Sequence, residues 1–443
     1  MSAKSASFIF AGLLLAACLP PSGNSDLAKN FDTSGKEIVT AFTGASVFNG
    51  NMFNERTLCI SAAVIVACPS DPDETVDLAG AYITPPFGDA HTHHFDGPYT
   101  IDWHTALGLE SGVFYAMNMT APTEQVIKIR DRLSGPGNID VSSSLGGITG
   151  PQSHPIEIYE ALALGFRSYE DQLANQEIIY NSKLVADNAY FVVETEDSVR
   201  EKMALLLSAD PDHVKVYLRH SERYEEGWGK WGPGGGIDPK LLPIVAKLAN
   251  EAGKRLAVAT STVTDYRESL KANAKNITHI QCYQDTEEDP TSPYYDLDTE
   301  DECLLSEKDA RDAAKIGMSS TFVVTEWAKD RPAKLVDWEK QNIAILKAAG
   351  APIVVAVESY GSTITEGLIA GVEKEFFSPA ELLKIASMDT PAFIFPDRKI
   401  GCLDVGCEAS FLAFSNNPLY DFNAIRNIAF RMKDGVPVDI RQD

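Results

Sequence analysis

The chain has 443 residues and a formal net charge of −25, with 44% hydrophobic and 23% charged residues. This length accommodates one large barrel with a small appended domain, or two to three ordinary domains. The two fractions are ordinary for a globular protein, whereas the negative charge disfavours nucleic acid and anionic membrane surfaces as partners.

Residues 1–17 are predicted to form a secretory signal peptide. A single cation, Lys4, precedes an apolar run from Phe8 to Ala17. This run is shorter than the roughly 20 apolar residues that a membrane-spanning helix needs, so it does not predict a spanning anchor.

The end of this segment, "LAAC" at Leu15–Cys18, resembles the lipobox of bacterial lipoproteins. The resemblance implies cleavage before Cys18 and lipidation of that residue, and a plain signal peptide cut elsewhere is the alternative. Residues 18–36 contain Pro, Gly and Ser and read as a polar tether. We therefore expect an exported lipoprotein of the bacterial periplasm or outer membrane, attached to the membrane only through Cys18.

The chain has seven cysteines, and the six that remain beside Cys18 suggest disulfides, because their number is even and the chain is predicted to be exported. They fall into three local couples, and the "LDVG" segment inside the last couple is a plausible tight turn. A cysteine-zinc site is the alternative, but no CxxC spacing occurs. The predicted disulfides are Cys59 with Cys68, Cys282 with Cys303, and Cys402 with Cys407.

Short β-type runs occupy both ends of the chain. Residues 37–84 contain "IVTAFTGASVF", "RTLCI", "AAVIVAC" and "ETVDLAG", and residues 400–443 contain "GCEASFLAFS" and "IAFRMKDGVPVDI". Runs of this kind between turn residues predict strands. We expect the two ends to build one small β-sandwich-like domain around a large insert.

Strand-like and helix-like segments alternate between these ends, from residue 85 to 399. The strand candidates are "AYITPPFGDAHTH", "GVFYAMNM", "DVSSSLG", "HVKVYLR", "RLAVATS", "NITHIQC", "SSTFVVT" and "PIVVAVES". Eight strands with helical crossovers predict an α/β fold of the TIM (β/α)8 barrel type, with the active site at the carboxyl ends of the strands. A doubly wound sheet is the alternative, but no glycine-rich phosphate loop supports it.

The clearest helix of the barrel region runs from Asp238 to Gly253. Asp238 is placed as the N-cap, Pro239 occupies the first helical position and Gly253 ends the helix. Apolar residues recur along one face, as in an amphipathic helix.

The segment "PPFGDAHTHHFDG" places three histidines within four positions behind an apolar run. His91 and His93 are two residues apart at the end of a strand, so their side chains share a face. At a barrel mouth that face is the interior, and two converging imidazoles form half of a zinc-type site. His94 should point the other way.

Here the chain resembles the amidohydrolase superfamily, and in particular its imidazolonepropionase-like members. "ITPPFGDAHTH" is similar to that family's first barrel strand, and "TPAFIFPDRKIGCLDVGCEASFLAFSNNPLYDF" is similar to its return to the small β-domain. The resemblance runs from about residue 37 to the C-terminus. It implies a metal-dependent hydrolase whose ligands are two strand-one histidines, a carboxylated strand-four lysine, histidines on strands five and six, and a strand-eight aspartate.

The resemblance carries over unevenly to this chain. His91 and His93 match, Lys215 stands where the carboxylated lysine belongs, and His279 matches the sixth-strand ligand. The fifth-strand histidine is replaced by Ala259, and the eighth-strand aspartate by Glu358. The candidate metal ligands are therefore His91, His93, Lys215, His279 and Glu358. Ala259 stands where the family has one further ligand.

These replacements predict one metal, zinc or another divalent ion, because the second site would keep too few ligands. The resemblance implies hydrolysis of C–N bonds, and sometimes of C–O or P–O bonds. We expect the chain to hydrolyse C–N bonds, in amides or cyclic amides, of a small-molecule substrate. Glu358 would act as base beside the metal, or His279 would orient the water or stabilise the oxyanion. The alternative is a catalytically impaired pseudoenzyme that binds a small molecule or a partner in the barrel pocket.

Two loops near the predicted barrel mouth also hold candidates. His154 follows the third strand and is expected on the surface, although it could enter the pocket. The glycine-rich segment from Ser221 to Gly236 follows the fourth strand, and its Trp228 and Trp231 could close on a substrate. An exposed loop without such a role is the alternative.

Overall fold

The computed structural model of the chain describes residues 38–226, 235–281, 299–324 and 333–440. The segment before residue 38, with the predicted signal peptide and Cys18, lies outside these ranges. Within them, no helix combines the length and the apolar character that a membrane crossing requires.

Both ends of the described chain build two sheets beside the barrel. One sheet has the order β5-β4-β1-β6, and the other has the order β21-β20-β19-β7-β2-β3, so that the C-terminal strands continue the sheet begun by the N-terminal ones. The predicted β-sandwich-like arrangement from both chain ends is confirmed. The strands are β1 Val39–Thr43, β2 Ser46–Phe48, β3 Phe53–Glu55, β4 Leu58–Ser61, β5 Val64–Val66, β6 Glu74–Asp77, β7 Tyr82–Thr84, β19 Phe411–Phe414, β20 Ile428–Lys433 and β21 Val436–Pro437.

The core between these two sheets is apolar, and two local disulfides lie beside it. Phe42 of β1 packs edge-on against Phe411 of β19, with ring centroids 5.2 Å apart. Two of the predicted disulfides are present here, Cys59–Cys68 and Cys402–Cys407, with Cα–Cα distances of 5.1 and 6.0 Å. Cys303 is disulfide-bonded, but its predicted partner, Cys282, lies outside the described residues.

The central part of the chain forms the predicted parallel barrel. Its ring has eight positions, and the third is a broken strand made of β10 and β11. β12 and β14 pair with ring strands from outside the ring. The strands are β8 Phe87–Thr92, β9 Val113–Asn118, β10 Asp140–Ser143, β11 Gly147–Thr149, β12 Tyr190–Val192, β13 His213–Arg219, β14 Gly235–Gly236, β15 Arg255–Ala259, β16 Asn276–Ile277, β17 Ser319–Val323 and β18 Ile353–Ala356.

The last strand closes the ring against the first. The backbone N–H of Glu358, just beyond β18, donates to the carbonyl of His91 at 2.9 Å. The carboxylate of Asp89 accepts the backbone N–H groups of His91 and Val357 at 3.1 and 3.3 Å. The first and last strands of the ring therefore meet at the segment that carries His91 and His93.

Helices cover the outside of the ring. The helix predicted from Asp238 begins as a short 3₁₀ turn, Pro239–Leu241, and continues as an α-helix, with the Asp238 side chain accepting the N–H of Lys240 at 2.9 Å. The helices are α1 Ile101–Ser111, α2 Thr123–Ile127, α3 Ile156–Leu164, α4 Tyr169–Ala174, α5 Gln176–Asn181, α6 Glu196–Ser208, α7 Leu242–Glu251, α8 Val263–Lys271, α9 Glu300–Cys303, α10 Glu307–Ile316, α11 Ala333–Ala349, α12 Ile364–Glu373, α13 Pro379–Lys384 and α14 Thr390–Ile394.

Candidate metal centre

His91 and His93 lie at the carboxyl end of β8, inside the barrel mouth. The ring of His91 is buried, and its Nδ1 lies 3.2 Å from the backbone carbonyl of Thr278. His93 Nδ1 lies 3.3 Å from the carbonyl of Thr120. A carbonyl oxygen only accepts, so each Nδ1 carries the proton and each neutral ring presents the lone pair of Nε2 to the cavity.

These two Nε2 atoms lie 3.2 Å apart. Two lone pairs at that separation repel each other unless a cation lies between or beside them. The carbonyl contacts also fix the ring orientations, as is common for histidines that bind metals. The paired imidazoles therefore have the donor chemistry of a metal site.

Glu358 adds a carboxylate from the opposite side of the seam. Its Oε1 lies 3.8 Å from His91 Nε2, and the ligand atoms of His91, His93 and Glu358 all lie within 4.8 Å of one another. The backbone of Glu358 is left-handed, with φ +55°, a conformation that costs most residues about 1–2 kcal/mol. The predicted pair of histidines and the predicted strand-eight carboxylate are thus brought together.

A hydrogen-bonded chain connects the other two predicted residues to this carboxylate. The Nζ of Lys215 donates to Thr278 Oγ1 at 3.0 Å, and Thr278 Oγ1 lies 3.4 Å from His279 Nδ1. His279 Nε2 lies 3.1 Å from Glu358 Oε1. One assignment of protons satisfies every contact: the lysine donates to the threonine, the threonine to Nδ1 and Nε2 to the carboxylate.

Burial changes the charge states of these groups. It lowers the pKa of Lys215 to about 7 and that of His93 to about 4, and it lowers the pKa of His91 well below 6.5. For Glu358, burial raises the pKa, but the neighbouring His279 and His91 outweigh burial and hold it well below 4.5. The site therefore combines neutral imidazoles with an ionised carboxylate, the forms that bind a divalent metal.

Ala259, at the end of β15, lines the same cavity and supplies no ligand atom. Its methyl group is buried, and Thr260 and Ser261 follow it in the wall. The cavity has a volume of about 430 Å³, including space open to solvent. It is lined by His91, His93, His154, Lys215, Tyr217, Arg219, Ala259, Thr260, Ser261, His279 and Glu358.

The expectation that His154 lies on the surface is wrong. His154 borders the cavity, its ring packs edge-on against Tyr217 at 5.0 Å, and its Nδ1 lies 2.6 Å from Glu157 Oε1. The reason is that the segment after β11 turns inward, so that Thr149 Oγ1 bonds to the carbonyl of His154 at 2.6 Å. Loop length alone does not predict that turn.

Tyr217 and Arg219 are cavity residues that we did not predict. They follow Lys215 at alternate positions along β13 and therefore share its face. Tyr217 donates its hydroxyl to Thr120 Oγ1 at 2.7 Å, and thereby supports the segment whose carbonyl contacts His93. The alternation in "KVYLR" was the signal that could have identified both.

His94 points away from the paired histidines, as expected. Its Nε2 lies 3.1 Å from the backbone nitrogen of Gly361, and its ring stacks on His104 at 4.4 Å. Of the loop after β13, Ser221–Glu226 forms a 3₁₀ helix, whereas Trp228 and Trp231 lie outside the described residues. Their predicted role in closing the cavity stays a prediction.

Comparison with solved structures identifies the fold. The chain is similar to A. niger ochratoxinase, with a TM-score of 0.67 and 15% identity over 90% of this chain and 95% of that one. A Xaa-Pro dipeptidase with bound methionine has a TM-score of 0.66 and 15% identity over 90% of this chain and 100% of that one. A structure described as an amidohydrolase has a TM-score of 0.65 and 15% identity over 91% and 100%.

These likenesses confirm the predicted barrel fold, and the resemblance to a structure described as an amidohydrolase holds at the level of the fold. At this level of identity the likeness establishes the fold only, and the chemistry has to be inferred from the residues of the site. No family model matches the chain, and no curated protein matches it.

Proposed function

We propose that the chain is a metal-dependent hydrolase of the amidohydrolase type, which uses one divalent ion to cleave a C–N bond in an amide or cyclic amide of a small molecule. The observation that carries the proposal is the approach of His91 Nε2 and His93 Nε2 to 3.2 Å, with both Nδ1 atoms committed to carbonyls. Two nitrogen lone pairs that face each other beside the Glu358 carboxylate are the kind of donor set that binds a cation.

His91, His93 and Glu358 would hold the ion, which meets the minimum of three protein ligands found in catalytic zinc sites. Lys215 would add carbamate oxygens if carboxylated, as the family resemblance implies. A bound divalent ion polarises a carbonyl and lowers the pKa of its water towards neutrality.

The remaining residues of the site have roles that follow from their contacts. Glu358 accepts the Nε2 proton of His279 at 3.1 Å, so the carboxylate would act as the base for an attacking water, and His279 would hold it in position. His154 is oriented by Glu157, which accepts the Nδ1 proton, so the Nε2 of the neutral ring presents a lone pair that can accept a hydrogen bond from a substrate.

The structural neighbours support a hydrolytic function of this kind. Ochratoxinase and the Xaa-Pro dipeptidase share the barrel over nearly their whole lengths, and the name of the second denotes cleavage of a peptide C–N bond.

The second candidate function is a pocket that binds a small molecule or a partner without turnover. Ala259 favours it, because this position in the cavity wall supplies no ligand where the family has histidine. It predicts no hydrolysis of amides, lactams, dipeptides or esters, even with zinc added.

Metal analysis of the purified protein tests the proposal. We expect about one equivalent of zinc, and less than a tenth of that occupancy in His93→Gln, because the variant leaves two protein ligands. His154→Gln serves as the matched control, since it changes a cavity histidine that we do not assign as a ligand. Equal metal content in the parent and in His93→Gln would refute the site, and two equivalents would refute the single-metal form.

We also propose that the protein is exported and anchored through a lipidated Cys18. The Cys59–Cys68 and Cys402–Cys407 disulfides support export, because such bonds persist in oxidising compartments. Intact-mass analysis of protein from the membrane fraction should give a lipidated N-terminal cysteine. The same cleavage and mass in a Cys18→Ser variant would contradict the anchor.

A further inference from the structure

Thr120 lies just beyond β9 and has a left-handed backbone, with φ +62°. Among the described non-glycine residues with positive φ, it is the only one with a β-branched side chain. A β-branched residue rarely adopts this conformation, because its side chain crowds its own backbone. Strained residues of this kind persist only where the surrounding structure holds them in place, and they cluster at functional sites.

Three side chains hold Thr120 in this conformation. Its backbone N–H donates to Ser144 Oγ at 2.8 Å, and Tyr217 donates its hydroxyl to Thr120 Oγ1 at 2.7 Å. Tyr159 donates its hydroxyl to the Thr120 carbonyl at 2.6 Å. Gly147 leaves room for this arrangement, since a Cβ atom there would lie 2.7 Å from both Thr120 Oγ1 and the Tyr217 ring. The carbonyl of Thr120 is therefore fixed from several directions.

This carbonyl is also the acceptor for His93, whose Nδ1 lies 3.3 Å from it. A carbonyl oxygen has two lone pairs, so it accepts both the His93 ring and the Tyr159 hydroxyl. The contact with Tyr159 is the shorter of the two, and it is the stronger constraint on where the oxygen lies. The proton that this oxygen holds on Nδ1 leaves the lone pair of His93 Nε2 free for a metal.

Tyr159 acts from outside the cavity. It lies in the first turn of α3, two residues after Glu157, which orients His154. The described residues that line the cavity include His154 and Tyr217 but not Tyr159. Its hydroxyl therefore meets the candidate metal centre through Thr120, and not through a ligand in the cavity.

We propose that Tyr159 is a positioning residue, whose hydroxyl fixes the carbonyl of Thr120 and thereby sets the orientation of His93 and the nitrogen that carries its proton. The inference rests on the proposed hydrolase function and adds a residue that tunes the affinity of its metal site. Without the hydroxyl, the strained carbonyl can turn away from Nδ1. The ring proton of His93 can then move to Nε2, where it blocks the lone pair that a metal needs.

The test compares Tyr159→Phe with the parent protein, because this variant keeps the ring and removes one oxygen atom. Tyr190→Phe is the matched control, since Tyr190 is buried and its hydroxyl donates to Glu160 Oε1, also at 2.6 Å. Zinc affinity of the full-length proteins is measured by competition with a chelator, and melting temperatures are measured in parallel. In zinc-free protein labelled with ¹⁵N-histidine, NMR at neutral pH shows which nitrogen of His93 carries the proton. The His93 signals are identified by their loss in His93→Gln.

We expect Tyr159→Phe to bind zinc about 10–100-fold more weakly than the parent, as when an outer partner of a metal-binding histidine is removed, and to carry part of the His93 proton on Nε2. Tyr190→Phe should keep the zinc affinity and the Nδ1 proton of the parent, although it also loses a buried hydrogen bond.

Unchanged zinc affinity and an unmoved His93 proton in Tyr159→Phe would overturn the inference and keep the hydrolase. A proton shift in Tyr159→Phe, with no zinc bound by the parent, would keep the inference and overturn the metal-dependent hydrolase. An equal loss of zinc affinity in both tyrosine variants, with the His93 proton unmoved, would assign Tyr159 a structural role and overturn the inference.

Discussion

The backbone N–H of Glu358 donates to the carbonyl of His91 at 2.9 Å, and their side chains meet again with Oε1 and Nε2 3.8 Å apart. One contact therefore closes the barrel and the other assembles the candidate metal centre. Because both depend on the same two residues, the position of the carboxylate is set by the seam between the first and last strands.

The length of the Glu358 side chain is the basis of the first prediction. In Glu358→Asp the carboxylate withdraws by more than an ångström, so it loses the 3.1 Å contact with His279 and moves away from the histidine pair. We expect zinc affinity, measured by competition with a chelator, to fall by about 10–100-fold, as when a residue that supports a metal site is removed. Glu358→Gln, which keeps the length, separates charge from reach. Tighter binding by the aspartate variant would contradict this geometry.

Ala259→His tests whether the second metal was lost with the histidine. If space remains in the cavity wall, the new imidazole joins His279 and a Lys215 carbamate, and the protein gains about one metal equivalent at unchanged melting temperature. If protein atoms fill that space, overpacking costs about 1–3 kcal/mol of stability. The close contact of Gln281 Nε2 with Thr260 Oγ1, at 3.1 Å, constrains the neighbouring wall. Metal analysis and thermal melting of the parent and the variant distinguish these outcomes. A variant that binds no additional metal and melts at a lower temperature would show that the pocket has been remodelled.

His104 makes the stability depend on pH. Its ring is buried, and burial lowers its pKa below the ordinary 6.5. Between its folded pKa and 6.5 the unfolded chain binds more protons, so stability is present above about pH 6.5 and is lost as the pH falls, by at most about 1.4 kcal/mol per pH unit for one group. His104→Phe keeps a ring against His94 and removes the titration. The difference in melting temperature between pH 7.5 and 5.5 should be smaller in the variant; an equal difference would exclude this contribution.

Lys433 forms a buried ion pair that joins the small domain to the barrel. Its Nζ donates to the carbonyl of Gly135 and to Asp140 Oδ1, both at 2.6 Å, and it is fully buried. Arg398 binds the other oxygen of Asp140 at 2.7 Å. We expect Lys433→Met to destabilise the protein by about 3 kcal/mol in urea unfolding, because a buried carboxylate loses one of its two cations.

The control for this prediction is Lys308→Met. Lys308 forms an exposed pair with Asp312 on α10, with 76% of the lysine side chain accessible. Its removal should change the unfolding free energy by no more than about 0.5 kcal/mol. Similar losses in both variants would mean that burial does not determine the value of the Lys433 pair.

Local periodicity in the sequence determined much of the fold. The eight strand segments and the shared face of His91 and His93 follow from the two-residue repeat of a strand and from the order of strands in a barrel. The place of Lys215 among the site residues was implied by the family resemblance instead. The two described disulfides were predictable because their cysteines are close in sequence, only 9 and 5 residues apart.

Only the tertiary structure decided how the distant segments meet. The carbonyls that fix His91 and His93 come from Thr278 and Thr120, and the carboxylate beside them belongs to Glu358. The ring of His154 likewise packs against Tyr217, which belongs to a strand more than 60 residues further along the chain. Such distances depend on where each strand ends and on how the closed barrel brings strands together, which side-chain periodicity along a single strand does not specify.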